Sequence, residues 1–193
     1  MLTLYLAPGT SSMAAHIALR EIGAPFEIRS LSFARAEQRA PEFLAVNPEG
    51  KVPALVTDGG TITEVAAILF YLARRFPDAR LLPQGDLEAE AQAISWMSYA
   101  ASTLHPARRR GLEKAMPIYA MADRRLGQRE WAIGESYSIA DIHLFRLFWR
   151  FRNSLHPPDG SFPHLSAHHD RVMARPAVQE TIEVESGLGY ELS

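Results

Sequence analysis

The segment Asn47–Leu55 constrains the fold most, because two prolines and a glycine stand directly before the apolar run that ends it. Pro48 fixes its own φ, Gly50 can take a positive φ, and Pro53 has no N–H to give to a neighbouring strand. The segment therefore cannot complete an ordinary sheet ladder. Two conformations of Val52-Pro53 suit it: a trans proline on an edge strand, or a cis peptide that turns the Val52 N–H and C=O toward a ligand.

The residues before this segment have the pattern of a strand, a helix and a second strand. Apolar and polar residues alternate over 2–6 and again over 26–31, as they do in short strands. Between them lies a helical pattern that Gly23-Ala24-Pro25 ends and that three successive hydroxyl residues precede, Thr10, Ser11 and Ser12. The order predicts a βαβ unit with a crossover helix.

The residues after it indicate a hairpin and another helix. A third strand is predicted over 52–56, and Asp58-Gly59-Gly60 is a strong signal for a hairpin into a fourth. Glu64 opens a helix that Pro77 ends. Together these elements resemble a thioredoxin-like α/β domain over residues 1–76.

The second half of the chain is predicted to be all-helical. Residues 77–86 contain two prolines and a glycine and are interpreted as a linker. The helical domain then covers 87–193. Its helices are predicted at 87–115, 117–128, 138–152, 164–173 and 177–184.

One local motif in this half predicts a helix start. Ser138 as N-cap and Asp141 at N3 match a capping box, and Tyr137 with Ile142 match a hydrophobic staple. The motif is structural, not catalytic. Asp141→Ala is expected to cost about 1 kcal/mol or somewhat more.

Composition limits the function classes. The 193 residues carry a formal net charge of −2, so no basic excess draws nucleic acid or a membrane surface. The absence of cysteine excludes disulfides, thiolate metal sites and a cysteine nucleophile. The histidines, His168-His169 included, are not spaced as a metal site. The absence of a signal-like start and of a long apolar run favours a cytoplasmic protein.

Three motifs, in their order and spacing, resemble the glutathione transferase family: Asn47–Leu55, Thr63-Glu64 with the helix that follows, and Ser138–Asp141. The resemblance covers nearly the whole chain. The opening Pro8–His16 and the stretch from Trp96 to His105 are more similar to bacterial beta-class members than to other classes. The resemblance implies a thioredoxin-like domain followed by an all-helical domain, a homodimer, and a glutathione site in each chain.

The resemblance also implies which residues bind glutathione. Val52-Pro53 would be cis, with the Val52 backbone pairing with the cysteinyl part of the tripeptide. Glu64 would face the γ-glutamyl end, unless it is only a favourable first-turn acid. Lys51 and Val65 complete the implied set. Val65 departs from the serine usual in the family and offers only its backbone N–H, so glutathione affinity is expected to be lower.

The residue expected beside the glutathione sulfur also departs from the family pattern. Ser11 stands where beta-class members have a cysteine, which leaves stabilisation of the glutathione thiolate as the implied chemistry. Ser11 is the first candidate donor, with Ser12 and Thr10 behind it, although at least one of the three is expected to be an N-cap. His105 would be a second donor or an acid/base, or an interhelical polar residue.

The implied reaction is attack of the glutathione thiolate on a hydrophobic electrophile, without a metal. One alternative is a glutathione-binding regulatory or interaction protein with weak catalysis. Another is a glutathione-dependent isomerase, dehalogenase or ether-cleaving enzyme on the same scaffold. His16 is expected to make a structural hydrogen bond. Arg108-Arg109-Arg110 is interpreted as a solvated helical face rather than the mouth of a site for acidic substrates.

Overall fold

The structure is a computed structural model that describes residues 1–190. The helices and strands are, in chain order, β1 (Leu2–Leu6), α1 (Ser12–Ile22), β2 (Phe26–Ser30), α2 (Pro41–Leu44), β3 (Ala54–Thr57), β4 (Gly60–Thr63), α3 (Val65–Arg75), α4 (Leu87–Tyr99), α5 (His105–Arg108), α6 (Leu112–Leu126), α7 (Ile139–Leu155), α8 (Pro163–Met173) and α9 (Pro176–Leu188).

Within the described residues a four-stranded mixed sheet has the order β2-β1-β3-β4. β1 and β2 pair in parallel, joined by α1, as the predicted βαβ unit requires. β3 pairs antiparallel with β1 and with β4. The hairpin between β3 and β4 turns at Asp58-Gly59, with Thr57 opposite Gly60, so the predicted hairpin is confirmed.

Apolar helical faces cover this sheet. The buried residues of α3 recur at Val65, Ile68, Leu69, Leu72 and Ala73, which is one face of a helix. α1 packs against α3 and also against α9, and almost all of its residues from Ser12 to Leu19 are buried. α1 ends at Gly23, whose φ of 70° suits a left-handed C-cap.

The helical unit differs from the prediction between residues 87 and 128. Instead of a helix over 87–115, α4 ends at Tyr99, a π-helical segment covers Ala100–Leu104, and α5 ends at Arg108. α6 then begins at Leu112 and runs through Pro117. The predicted break at Pro117 was wrong, because Gly111, with a φ of 88°, makes the turn. Pro117 lies in the second turn of α6, and the helix runs past it although the proline nitrogen cannot donate to the Glu113 carbonyl.

The capping box at the start of α7 is confirmed. Ser138 accepts from the Ala140 N–H, and the Asp141 carboxylate accepts from the Ser138 N–H at 2.9 Å. Asp141 also accepts from the Ala132 N–H at 2.7 Å and meets Nε2 of His168 at 2.9 Å. The box is therefore part of a wider buried network.

The chain divides into two compact units. The first contains Met1–Arg75 together with α9, and the second is Phe76–Arg175. The predicted fold class, a thioredoxin-like α/β part followed by a helical part, is confirmed. The linker and the outer bounds of the helical domain stay predictions. No helix in residues 1–190 is long and apolar enough to cross a membrane.

Candidate active site

The Val52–Pro53 peptide is cis, the second of the two conformations that suit its sequence. The strand ladder starts only at Ala54, so the Val52 backbone lies outside it. The Val52 side chain packs in a core cluster with Ala7 and Phe43. Because the side chain is buried, it is the backbone of Val52 that is left to meet a ligand.

The loop before Val52 is held by Asn47, which is 3% exposed. Its side-chain amide donates to the Lys51 carbonyl at 2.7 Å, and its side-chain oxygen accepts from the Glu49 N–H at 3.1 Å. Gly50 has a φ of 64°, and a Cβ there would lie 2.8 Å from the Gln38 carbonyl. The conformation of the loop therefore depends on Asn47 and on a glycine at 50.

Two of the three candidate hydroxyls are used within their own loop. Ser12 is fully buried, and its hydroxyl bridges the N–H and C=O of Ala7 at 3.1 Å each. The Thr10 hydroxyl donates to the same carbonyl at 2.8 Å and contacts the Ser12 hydroxyl at 2.9 Å. Both residues shape the turn between β1 and α1.

Ser11 makes the contact that joins two predicted site residues. It occupies the N-cap position of α1, but its side chain makes no capping hydrogen bond. Its hydroxyl instead donates to the Val52 carbonyl at 3.0 Å. Ser11 is also partly exposed, unlike Ser12. Of the three hydroxyls, that of Ser11 is the one in direct contact with the Val52 backbone.

Glu64 and Val65 lie at the start of α3. Glu64 stands one residue before the helix rather than in its first turn, with a φ of 66° that is unusual for a residue other than glycine. Its side chain is exposed beside the N-terminal N–H groups of α3. Thr63 pairs with Ala54 across the hairpin. Glu64, which follows Thr63, therefore lies close to Pro53, which precedes Ala54.

A buried histidine–carboxylate pair supports the loop before Ser11. Nδ1 of His16 lies 3.0 Å from one carboxylate oxygen of Glu185, and both side chains are fully buried. The other oxygen accepts from the Gly9 N–H at 2.7 Å. The expected structural hydrogen bond of His16 is confirmed. Nothing in the sequence pointed to its partner, because α9 lies far from α1 along the chain.

His105, in the helical unit, follows the π-helical segment. Nη2 of Arg146 lies 3.2 Å from Nδ1 of His105. Since a guanidinium can only donate, Nδ1 accepts and the proton of the neutral ring is on Nε2. Burial and the cations Arg146, Arg109 and Arg108 lower the pKa of His105 to about 4. The ring is therefore neutral at pH 7, able to donate through Nε2 but not as an imidazolium.

Comparison with known proteins identifies the family. The N-terminal domain model of glutathione S-transferases matches residues 1–74, and the C-terminal domain model matches 87–176. The glutathione S-transferase GstA of Escherichia coli O157:H7 is 32% identical over 94% of this chain and 98% of that protein. The chain belongs to the glutathione S-transferase family.

Solved structures of bacterial glutathione S-transferases agree with this. A sphingomonad glutathione S-transferase, solved in complex with glutathione, is 33% identical with a TM-score of 0.85, and the match covers 95% of this chain and 98% of that one. The beta-class enzyme of Sphingomonas chungbukensis is 33% identical with a TM-score of 0.83, over 95% and 98% of the two chains. The predicted family and enzyme class, a glutathione transferase, are confirmed.

The roles of individual residues in this transferase stay predictions. Ser11, Val52, Pro53, Glu64 and Val65 gather at the ends of β1, β3 and β4. Lys51 is exposed, and its ammonium lies 2.9 Å from the Glu49 carboxylate. Two residues that support this region were not predicted to do so: Asn47, although it lies in the motif, and Glu185, for which no local pattern exists.

Proposed function

We propose that this transferase binds glutathione on its first unit and transfers the thiolate to a hydrophobic electrophile. The Val52 backbone would pair with the cysteinyl part, and Glu64 with the first N–H groups of α3 would receive the γ-glutamyl end. Lys51 and Val65 would border the site. We also propose a homodimer, as the family resemblance implies, in the cytoplasm.

The observation that carries this proposal is the hydrogen bond from Ser11 to the Val52 carbonyl at 3.0 Å. A cysteinyl N–H that binds the same carbonyl would bring the cysteinyl sulfur beside the Ser11 hydroxyl. Because a hydroxyl rotates about its C–O bond, that of Ser11 would then donate to the thiolate instead of to the Val52 carbonyl. Binding the peptide backbone would thus direct the Ser11 hydroxyl to the thiolate.

The size of the effect follows from ordinary values. A free thiol has a pKa of about 8.5, so only a few per cent is ionised at neutral pH. A hydrogen bond to a charged acceptor contributes about 1.5–3 kcal/mol. Since about 1.4 kcal/mol corresponds to one pKa unit, Ser11 alone would lower the pKa of the bound thiol by about one to two units.

The test is to titrate the ultraviolet absorbance of the thiolate of bound glutathione. Ser11→Ala should raise the pKa of the bound thiol by about one to two units. Thr10→Val is the matched control and should leave the pKa of the bound thiol unchanged. It removes the neighbouring hydroxyl, which is hydrogen-bonded to Ala7 and Ser12. Equal pKa values in Ser11→Ala and the unmodified protein would eliminate the role proposed for Ser11.

A second candidate is a glutathione-binding protein with weak catalysis. Val65 favours it, because this residue is 8% exposed and has no side-chain donor for the γ-glutamyl group. Retention on immobilised glutathione without turnover of a generic aryl chloride would support this second function. Failure of both retention and turnover would count against both candidates.

A further inference from the structure

The dipeptide Asp-Gly occurs twice, as Asp58-Gly59 and as Asp159-Gly160. In this dipeptide the backbone nitrogen of glycine can attack the aspartate carboxyl carbon, because glycine has no Cβ to hinder the approach. The first copy is the turn of the β3–β4 hairpin, and the second lies in the loop between α7 and α8. The same chemistry therefore stands in two structural settings.

The hairpin holds both reacting groups of Asp58-Gly59. The Gly59 N–H donates to the Thr57 hydroxyl at 3.1 Å, and that hydroxyl donates to the Gly60 carbonyl at 2.9 Å. Thr57 and Gly60 are also paired across the two strands. The Asp58 carboxylate lies 2.8 Å from the N-terminal ammonium of Met1, which lowers the pKa of Asp58. Attack by the Gly59 nitrogen would turn its peptide plane and break the hydrogen bond to Thr57.

The loop leaves the corresponding groups of Asp159-Gly160 unpaired. Within residues 1–190 neither the Asp159 carboxylate nor the Gly160 N–H has a hydrogen bond or an ion pair. Both residues are exposed, and open space surrounds the position that a Cβ on Gly160 would take. The N–H and the hydroxyl of Ser161 both donate to the Pro158 carbonyl, at 3.3 and 2.7 Å, so only the ends of this turn are tied. The reacting groups lie between these ends and can meet without losing a hydrogen bond.

We propose that Asp159 is a site of spontaneous isomerisation to isoaspartate, and that Asp58 is protected from the same reaction. The Gly160 nitrogen forms a bond to Cγ of Asp159, while its proton and the hydroxyl of the protonated carboxyl leave as water. The cyclic imide then takes up water at one of its two carbonyl carbons. Water at Cγ restores aspartate, whereas water at the backbone carbonyl breaks the bond from that carbon to nitrogen and leaves an isoaspartyl linkage. The reaction needs no oxidant, reductant or second substrate.

The product alters the loop without altering the mass of the chain. One methylene group enters the backbone between α7 and α8, and the former backbone carbonyl becomes a free carboxylate. Asp159 and Arg152 line the same small cleft, so this carboxylate would form near a guanidinium. The proposal does not depend on glutathione, because no group in it belongs to the proposed glutathione site.

Ageing of the folded full chain in water enriched in the heavy oxygen isotope tests the proposal. Each passage through the imide places one solvent oxygen in the product, so the masses of tryptic peptides report the reaction, and chromatography separates isoaspartate from aspartate. The peptide 153–171 contains Asp159, and the peptide 52–74 contains Asp58. Asp159 should isomerise about tenfold faster than Asp58, because the barrier at Asp58 includes the loss of a hydrogen bond and of an ion pair.

The matched reference is the same chain in guanidinium chloride. Unfolding removes both settings, so the two dipeptides should then react at comparable rates. A difference as large in guanidinium chloride as in the folded chain would attribute the effect to the adjacent residues and overturn the structural argument. Equal rates at the two sites in the folded chain would overturn it as well.

Two variants test the named groups. Asp159→Glu keeps the charge but moves the carboxyl one methylene further from the backbone, and it should abolish heavy-oxygen uptake in the peptide 153–171. Uptake that persists in this variant would show that another residue reacts and would contradict the proposal. Thr57→Val removes the acceptor of the Gly59 N–H and should accelerate the reaction at Asp58 about fivefold, with the rate at Asp159 unchanged. An unchanged rate at Asp58, with circular dichroism showing the folded chain, would count against the protection by the hairpin.

Discussion

Asp141 is predicted to stabilise the chain far more than a surface helix cap does. Its carboxylate is fully buried. It accepts from the Ala132 N–H at 2.7 Å, from the Ser138 N–H at 2.9 Å and from the Ser138 hydroxyl at 3.0 Å, and it meets Nε2 of His168 at 2.9 Å. Asp141→Ala would therefore leave two backbone N–H groups and one imidazole nitrogen buried without partners.

The magnitude follows from these contacts. Each buried donor left without an acceptor costs about 1–3 kcal/mol, and breaking a buried pair with a charged member costs about 3–5 kcal/mol in total. We expect a loss near 4 kcal/mol, well above the value of about 1 kcal/mol for an ordinary cap. For a chain of 193 residues this corresponds to a fall in Tm of about 8–16 °C.

The assay is differential scanning calorimetry of Asp141→Ala beside Asp86→Ala. Asp86 is an exposed N-cap whose carboxylate accepts from the Ala89 N–H at 2.9 Å, so it isolates the capping contribution. Asp86→Ala should lower Tm by only about 2–4 °C. Similar Tm shifts in the two variants would refute the argument that the wider network around Asp141 adds stability beyond the cap.

Three further predictions concern other buried contacts. Glu185→Ala removes the partner of His16 and of the Gly9 N–H and should cost about 3 kcal/mol or more in calorimetric stability, whereas Glu180→Ala, which loses an exposed ion pair of 3.7 Å with Arg20, should cost less than about 1 kcal/mol. Equal losses would contradict the role of the buried pair. His105 has a folded pKa of about 4, below the unfolded value near 6.5, so its neutral form stabilises the fold above about pH 6.5 and this contribution is lost as the pH falls toward 4. Tm should therefore fall over this range less steeply in His105→Gln than in the unmodified protein, and parallel curves would argue against it. Gly50→Ala should lower Tm and weaken retention on immobilised glutathione, because its Cβ would lie 2.8 Å from the Gln38 carbonyl. Gly160→Ala, with a positive φ of 76° but open space around the Cβ, is the control and should leave retention unchanged.

Features that depend on neighbouring residues were the ones predictable from the sequence. The strand alternation, the Asp58-Gly59-Gly60 hairpin and the Ser138 box each rest on a few adjacent residues and are confirmed. The cis form of Val52-Pro53 needed the family resemblance, because the residues alone allowed two conformations. The turn at Gly111 was not predicted, since a break was expected at Pro117, through which α6 runs.

Features that depend on distant residues had no local signal. Glu185 lies 169 residues from His16 along the chain, and no periodic pattern in the sequence predicts such a pair. The contact between Ser11 and Val52 spans 41 residues and depends on how β1 and β3 pair. The burial of His143, Arg146 and Arg150 in α7 was likewise not predicted from the sequence.

The π-helical segment Ala100–Leu104 sets the rotation of α5, the helix that follows it directly. A π-helical turn contains about one residue more than an α-helical turn, and one residue advances an α-helix by about 100°. Deleting a single residue there, for example Ser102, would restore a regular repeat and rotate His105 and Arg108 together by about that angle. The direction in which His105 and Arg108 point thus depends on one additional backbone residue in the π-helical turn, not on the identity of a side chain.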